Sequence, residues 1–239
     1  MNLILFESTE TDRPLPRADR RAVHIMDVLR RAPGDTFDVG LVNGPRGKAT
    51  LVALGADDME LTFQWGPAPP PAAPITLVVG LTRPQTARDI LRDATTLGVR
   101  EIHFVRTEKS EASYAHSSLW SSGEWRRHLL TGAEQAFDTC LPDVTHDLTL
   151  AEAMAQLPSG AVRLACDNYE SPGALGEVEV SREKHYVIAI GAERGWSARE
   201  RDALRAQQFS LVHLGPRVLR AETAVLAAVA ILRAKFGLM

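Results

Sequence analysis

The 239-residue chain has two cysteines, Cys140 and Cys166. They stand far apart and match neither paired zinc-ligand spacing nor a redox pair, so they read as free thiols in a reducing compartment. The cytoplasm is therefore the expected location, and no metal is expected. Long apolar runs are also missing. The longest, Ala224 to Leu232, is less than half a membrane span and reads as a buried helix. At the N-terminus, Leu3 to Phe6 is followed at once by Glu7 and Glu10, too short and too acidic for a signal peptide. No membrane association is expected. Nor is there an excess of charge: the net formal charge of -3 gives no general attraction to nucleic acid, so any such contact requires a local basic face. Internal repeats are absent, as are a GxGxxG fingerprint, a P-loop, a GxSxG elbow and an HExxH motif. Those absences remove dinucleotide-binding Rossmann enzymes, common hydrolases, NTPases and zinc proteases.

What is present divides the chain in two. The stretch Gly66 to Pro74 reads GPAPPPAAP, and its prolines remove backbone donors and hold the chain extended. The expected organisation is a small domain over 1–66, a linker over 67–74 and a larger domain over 75–239. In the first part, runs rich in β-formers alternate with turns: FDVGLVN, GPRG, KATLVAL, GADD, MELTFQW. Hairpins of a small barrel or sheet follow, with one helix over 20–31. After the linker the chain alternates strand and helix. Strands are predicted at 75–81, 101–106, 161–166, 185–190 and 210–215. Helices are predicted after a Thr82/Gln85 capping box, then at 117–137, 150–157, 198–207 and 221–236. Continuous apolar strands separated by helices imply an α/β fold with a parallel sheet covered on both faces.

Two glycine loops stand at the carboxyl ends of the last two strands, IGAERGWSARE from Ile190 and LGPRVLRAETA from Leu214. Ligands of open α/β sheets bind at such ends, and Gly191, Gly195 and Gly215 would let a ligand approach the backbone. Alternatively these glycines only make turns.

The second loop, together with the first about two dozen residues earlier, resembles the C-terminal signature of the RsmE family, which methylates N3 of a uridine in small-subunit ribosomal RNA. LGVREIHFVRTEKS (97–110) and GAEQA (132–136) extend the resemblance, and coverage is nearly the whole chain. The resemblance implies a SPOUT α/β-knot domain with a C-terminal trefoil knot, preceded by a PUA-like RNA-binding β-barrel. It implies S-adenosylmethionine as cofactor, ribosomal RNA or the small ribosomal subunit as partner, and a homodimer. Cofactor loops then follow Cys166, at Asp167; span Gly191, Glu193 and Gly195; and run over Leu214, Gly215, Val218, Leu219 and Thr223.

Methylation at uridine N3 requires alignment, a proton acceptor and stabilisation of charge on the uracil oxygens. Arg220 and Glu222 are the catalytic candidates. Arg220 would hold uracil oxygens or a phosphate, and Glu222 would orient Arg220 or accept the proton. The bland alternative is an ion pair with Glu222 at a helix start. The basic residues Arg17, Arg20, Arg21, Arg30 and Arg31, with Arg46 and Lys48 on a hairpin, are candidate phosphate contacts, or else a mixed solvated face interrupted by Asp19 and Asp27. Glu134, Gln135 and Arg217 complete the RNA-binding candidates. Where the family reads GPEGG this chain reads GAERG, with Ala192 for a proline and Arg194 for a glycine. Thr86, Asp93, Asp138 and Cys140 stand where basic residues are usual. These departures leave open a knotted RNA-binding protein without catalysis, or a related enzyme acting at another RNA position.

Overall fold

The computed structural model describes residues 3–239, which form two compact units. The first comprises residues up to Pro71 together with Ala133–Leu141, and the second comprises Ala72–Gly132 and Pro142–Met239. A division drawn along the sequence at the proline-rich stretch does not contain the return of 133–141 to the first unit.

The first unit is a five-stranded sheet in the order β1-β3-β4-β5-β2. Its strands are β1 (Ile4–Phe6), β2 (Leu15–Pro16), β3 (Thr36–Leu41), β4 (Arg46–Leu54) and β5 (Asp58–Trp65). The β3-β4-β5 meander is antiparallel, whereas β1 runs parallel to β3. Alternation buries Phe37, Val39, Ala49, Leu51 and Met59 on one face, where they meet Ile4, Phe6 and Ile25. The helix expected over 20–31 is split. Asp19 caps the backbone N–H of Arg21 at 2.8 Å and starts α1 (Arg20–Val23), which widens into a π-turn over His24–Val28. Arg30, at φ 53°, ends it.

The second unit is a wholly parallel seven-stranded sheet, β10-β12-β9-β11-β6-β7-β8. The strands are β6 (Ala73–Gly80), β7 (Val99–Arg106), β8 (Asp143–Thr149), β9 (Val162–Cys166), β10 (Gly173–Ala174), β11 (Tyr186–Ile190) and β12 (Ser210–His213). Every residue of the central β11 is buried, as the unbroken apolar run requires of a strand covered on both faces. The helices are α2 (Pro84–Thr96), α3 (Ser118–Ser121), α4 (Glu124–Ala136), α5 (Leu150–Gln156), α6 (Ala198–Ala206) and α7 (Ala221–Lys235).

Several expectations are corrected here. The 117–137 helix is two helices, because Gly123 at φ 73° breaks it. No Thr82/Gln85 capping box forms; Pro84 takes the first helical position and Arg83 the N-cap. Strand β8 was not foreseen. Its residues are mostly half-buried at the sheet edge, where no continuous apolar run is required. Capping boxes at Thr149/Glu152 and Ser197/Glu200 start α5 and α6.

Candidate functional site

In the second unit β12, β9 and β11 are adjacent and parallel, so their carboxyl ends lie side by side. The turns leaving them line an open cleft of about 150 Å³. From the turn after β9 come Cys166, Asn168 and Tyr169, and from the turn after β11 come Ile190 to Gly195. The third wall is Leu214, Val218 and Leu219, closed by Ala221 and Ala224 at the start of α7.

Sequence dictates the shape of the middle turn. Gly195 adopts φ +64° and its N–H donates to the Ala192 carbonyl at 2.8 Å, folding the loop back on itself. A Cβ on Gly191 would stand 2.9 Å from the Gly195 Cα, so only glycine permits this closure. The loop is fastened from outside. Lys109 Nζ donates to the carbonyls of Arg194 (3.2 Å) and Trp196 (2.8 Å), and the Arg83 N–H donates to Glu193 Oε1 at 2.9 Å. Trp196 Nε1 donates to the Cys166 carbonyl at 3.1 Å, tying this loop to the end of β9.

The first turn is held by charge. Asp167 Oδ1 accepts the N–H groups of Tyr169 (2.8 Å) and Glu170 (2.7 Å), and its Oδ2 accepts Arg201 Nε at 2.9 Å. Burial raises the Asp167 carboxyl's pKa, but Arg201 and the two N–H groups outweigh burial and hold it below the usual range. Arg201 also pairs with Glu170 at 3.1 Å and lies 5.3 Å from the Tyr169 ring centroid. Burial pushes the Cys166 thiol up to about 12, with the Asp167 charge adding to the shift, so this residue is a neutral wall.

Of the candidates read from sequence, Gly191, Glu193, Gly195, Leu214, Val218 and Leu219 line the cleft. Asp167, Gly215 and Thr223 do not: Asp167 is turned toward Arg201, Gly215 supplies φ +104° to the third turn, and Thr223 is exposed on α7. Arg220 is the exposed N-cap of α7, and Glu222 lies half-buried in that helix's first turn. No ion pair joins them. Asn168, Tyr169 and Arg194 line the cleft without having been singled out as site residues. The one signal for Tyr169 was an aromatic residue in an otherwise polar turn following a strand.

The basic candidates of the first unit differ in how committed they are. Arg21 is spent internally: it pairs with Glu10 (2.7 Å) and Asp19 (2.8 Å), donates to the Leu5 carbonyl and lies over the Phe6 ring. Arg20 meets Glu134 at 3.3 Å, and burial pushes that carboxyl up although Arg20 opposes it. Arg17 donates to the Gly55 carbonyl, Arg46 donates to the Phe137 carbonyl and Lys48 pairs with Asp38. Arg30, Arg31 and Gln135 are exposed, as is Arg217 in the second unit. Among the described residues no group of three His, Cys, Asp or Glu is placed to hold a metal ion.

A family model described as an RNA methyltransferase domain matches residues 69–233. The ribosomal RNA small subunit methyltransferase E of Treponema pallidum is 35% identical, with 98% of this chain and 91% of that protein covered. Ribosomal RNA small subunit methyltransferase E 1 of Borreliella burgdorferi is 26% identical over 95% of each chain. A crystal structure of the methyltransferase E of Neisseria gonorrhoeae bound to S-adenosyl methionine superposes with a TM-score of 0.78 at 24% identity, covering 97% of both chains, and shows the common fold. The chain belongs to the RNA methyltransferase family of the ribosomal RNA small subunit methyltransferase E proteins.

Proposed function

We propose that the protein transfers a methyl group from S-adenosylmethionine to ribosomal RNA of the small subunit, at N3 of a uridine. The observation that carries this reading is the cleft walled by three adjacent carboxyl-end turns in a chain of this family. Its walls suit the cofactor. Apolar Ile190, Leu214, Leu219 and Ala224 can take the faces of an adenine ring. The close-packed Gly191–Gly195 turn offers main-chain donors and acceptors to the ring edge.

When bound, the cofactor supplies an electrophilic methyl group on a sulfonium centre. The protein must then hold a uracil ring in line with it and take away the N3 proton as the new N–C bond forms. In this reading Arg220, exposed at the N-cap of α7, neutralises charge developing on the uracil oxygens. Glu222, two residues on in the first turn of α7, accepts the proton directly or through water. In the first unit exposed Arg30 and Arg31, with the more committed Arg17, Arg20, Arg46 and Lys48, engage the RNA backbone, with Glu134 beside Arg20 and Gln135 next to it in sequence; in the second unit Arg217 does so.

Topology supports the knot in this reading. The connection from β9 to β11 carries β10 to the far side of β12, while the chain leaving β12 turns back into α7 against α2 and β11. The trefoil knot of this reading would pass the segment 214–220 through the 167–185 connection. The first unit, with 133–141 returning to it, is read as the PUA-like barrel, and the second unit, starting at Ala72, as the catalytic domain. A cytoplasmic homodimer completes the picture. No helix among the described residues is long and apolar enough to cross a membrane.

The test is to incubate the protein with labelled methyl donor and small subunits lacking the modification, digest the RNA and identify the labelled nucleoside. N3-methyluridine is expected. Label on a ribose or on another base would overturn the uridine assignment, and cofactor binding without RNA methylation would overturn the reaction itself. Arg220→Ala should lower turnover about 10²-fold or more, as loss of a charge-stabilising donor does.

A further inference from the structure

Arg194 is the only cation among the described residues that line the cleft. Its main chain is fixed, because Lys109 holds its carbonyl, but its guanidinium is exposed and has no hydrogen-bond or ion-pair partner among the described residues. Glu193, immediately before it, uses only Oε1 to receive the Arg83 N–H, which leaves Oε2 without a donor among the described residues. The turn 193–194 therefore presents an unmatched cation beside a half-matched anion on a backbone braced by Lys109, Arg83 and the Ala192–Gly195 hydrogen bond. The remaining lining groups are apolar, amide, phenolic or a neutral thiol. A ligand that satisfies this pair must itself carry both charges a few ångströms apart, as an α-amino acid does.

We propose that Arg194 sets the cleft's specificity for an amino-acid tail, binding the α-carboxylate of the methyl donor while Glu193 receives its α-ammonium. This inference rests on the methyl-donor reading of the cleft and goes beyond it. It makes the tail, rather than the adenosine alone, a main determinant of affinity, and it gives a role to a residue standing where the family has glycine. A guanidinium recognises a carboxylate through two parallel N–H donors, which an ammonium reproduces only as a point charge.

Calorimetric titration of the full chain separates the alternatives. S-adenosylhomocysteine carries the tail, and 5′-deoxy-5′-methylthioadenosine keeps the adenosine thioether without it. Arg194→Ala should weaken S-adenosylhomocysteine about tenfold and leave methylthioadenosine within twofold, with Arg194→Lys in between. The affinity of a small-subunit RNA fragment, read by filter binding, should be unchanged. Equal weakening of both ligands would assign Arg194 to loop structure, and loss confined to RNA would make it a phosphate contact; either result overturns the proposal, as does unchanged S-adenosylhomocysteine affinity. If the unaltered protein binds neither nucleoside, the methyl-donor reading itself fails, a result distinct from any effect of the variant. Circular dichroism of the variants checks folding, which an exposed side chain without partners should not affect.

Discussion

Asp167 offers a direct test of how the cleft is built. The carboxylate is buried, with Oδ2 on Arg201 Nε at 2.9 Å and Oδ1 on the N–H groups of Tyr169 and Glu170. In Asp167→Asn the amide can still accept from the turn through Oδ1, but its NH2 group then opposes the Nε–H of Arg201, donor against donor. A buried arginine that loses its partner costs about 3–5 kcal/mol. Glu170 remains 3.1 Å from the same guanidinium, so the low end, about 3 kcal/mol, is expected. For a unit of this size that is a fall of roughly 6–12 °C in melting temperature.

Arg201→Met should be damaging too, since it leaves the Asp167 carboxylate with main-chain donors alone. The double variant should cost less than the sum of the singles by more than about 1 kcal/mol, because the unpaired charge is gone. Thermal melts of the four proteins give the cycle, and titration with S-adenosylhomocysteine gives the ligand side, where only a few-fold loss through a loosened turn is expected. Asp167→Asn that melts like the parent yet binds no ligand would refute this account and make Asp167 a direct ligand contact. Strict additivity would refute the coupling. The pH dependence has a definite sign. The folded pKa lies below the unfolded value of about 3.9. The stabilisation is therefore present above that value and lost as pH falls through the folded pKa. Asp167→Asn should lack that component of the acid limb.

Gly191→Ala places a Cβ 2.9 Å from the Gly195 backbone, so it should cost about 1–3 kcal/mol and reduce cofactor affinity, both measurable by melting and titration. Gly80→Ala drives its Cβ into the Ala192 amide and should be at least as harmful to stability. Arg21→Ala should destabilise the protein by about 2 kcal/mol in denaturant titration, leaving Glu10 and Asp19 to repel, and should leave the salt slope of RNA binding unchanged. His103 and His185 are both lowered by burial, with Glu101 partly opposing. The unfolded chain takes up protons first, so stability should decline as pH falls from about 6.5 toward the folded pKa values, and His103→Gln should flatten that slope. A slope unchanged in that variant would exclude His103 as its source.

What the sequence disclosed, and what it hid, follow from the range of the interactions involved. Local signals carry far: the apolar runs at 75–81 and 185–190 became central strands because a strand covered on both faces has to be apolar throughout, and the two glycine turns sit at strand ends because only glycine tolerates their backbone angles. Edge strand β8 carried no comparable signal, since mixed polar and apolar residues are tolerated where one side faces solvent. The role of Asp167 was hidden for a different reason. Its partner Arg201 lies 34 residues away on α6, and nothing in the run ACDNYE indicates that the carboxylate turns toward that helix and away from the cleft. Arg21 likewise reads as one of a basic cluster until Glu10 folds back beside it. A charge pattern along a chain records only which residues can meet an anion; those free to do so are the ones the fold leaves unpaired. By that criterion Arg194 and Arg220 stand apart from Arg21 and Arg201. The first two present unmatched guanidiniums at the cleft and at the start of α7, while the other two serve as internal struts.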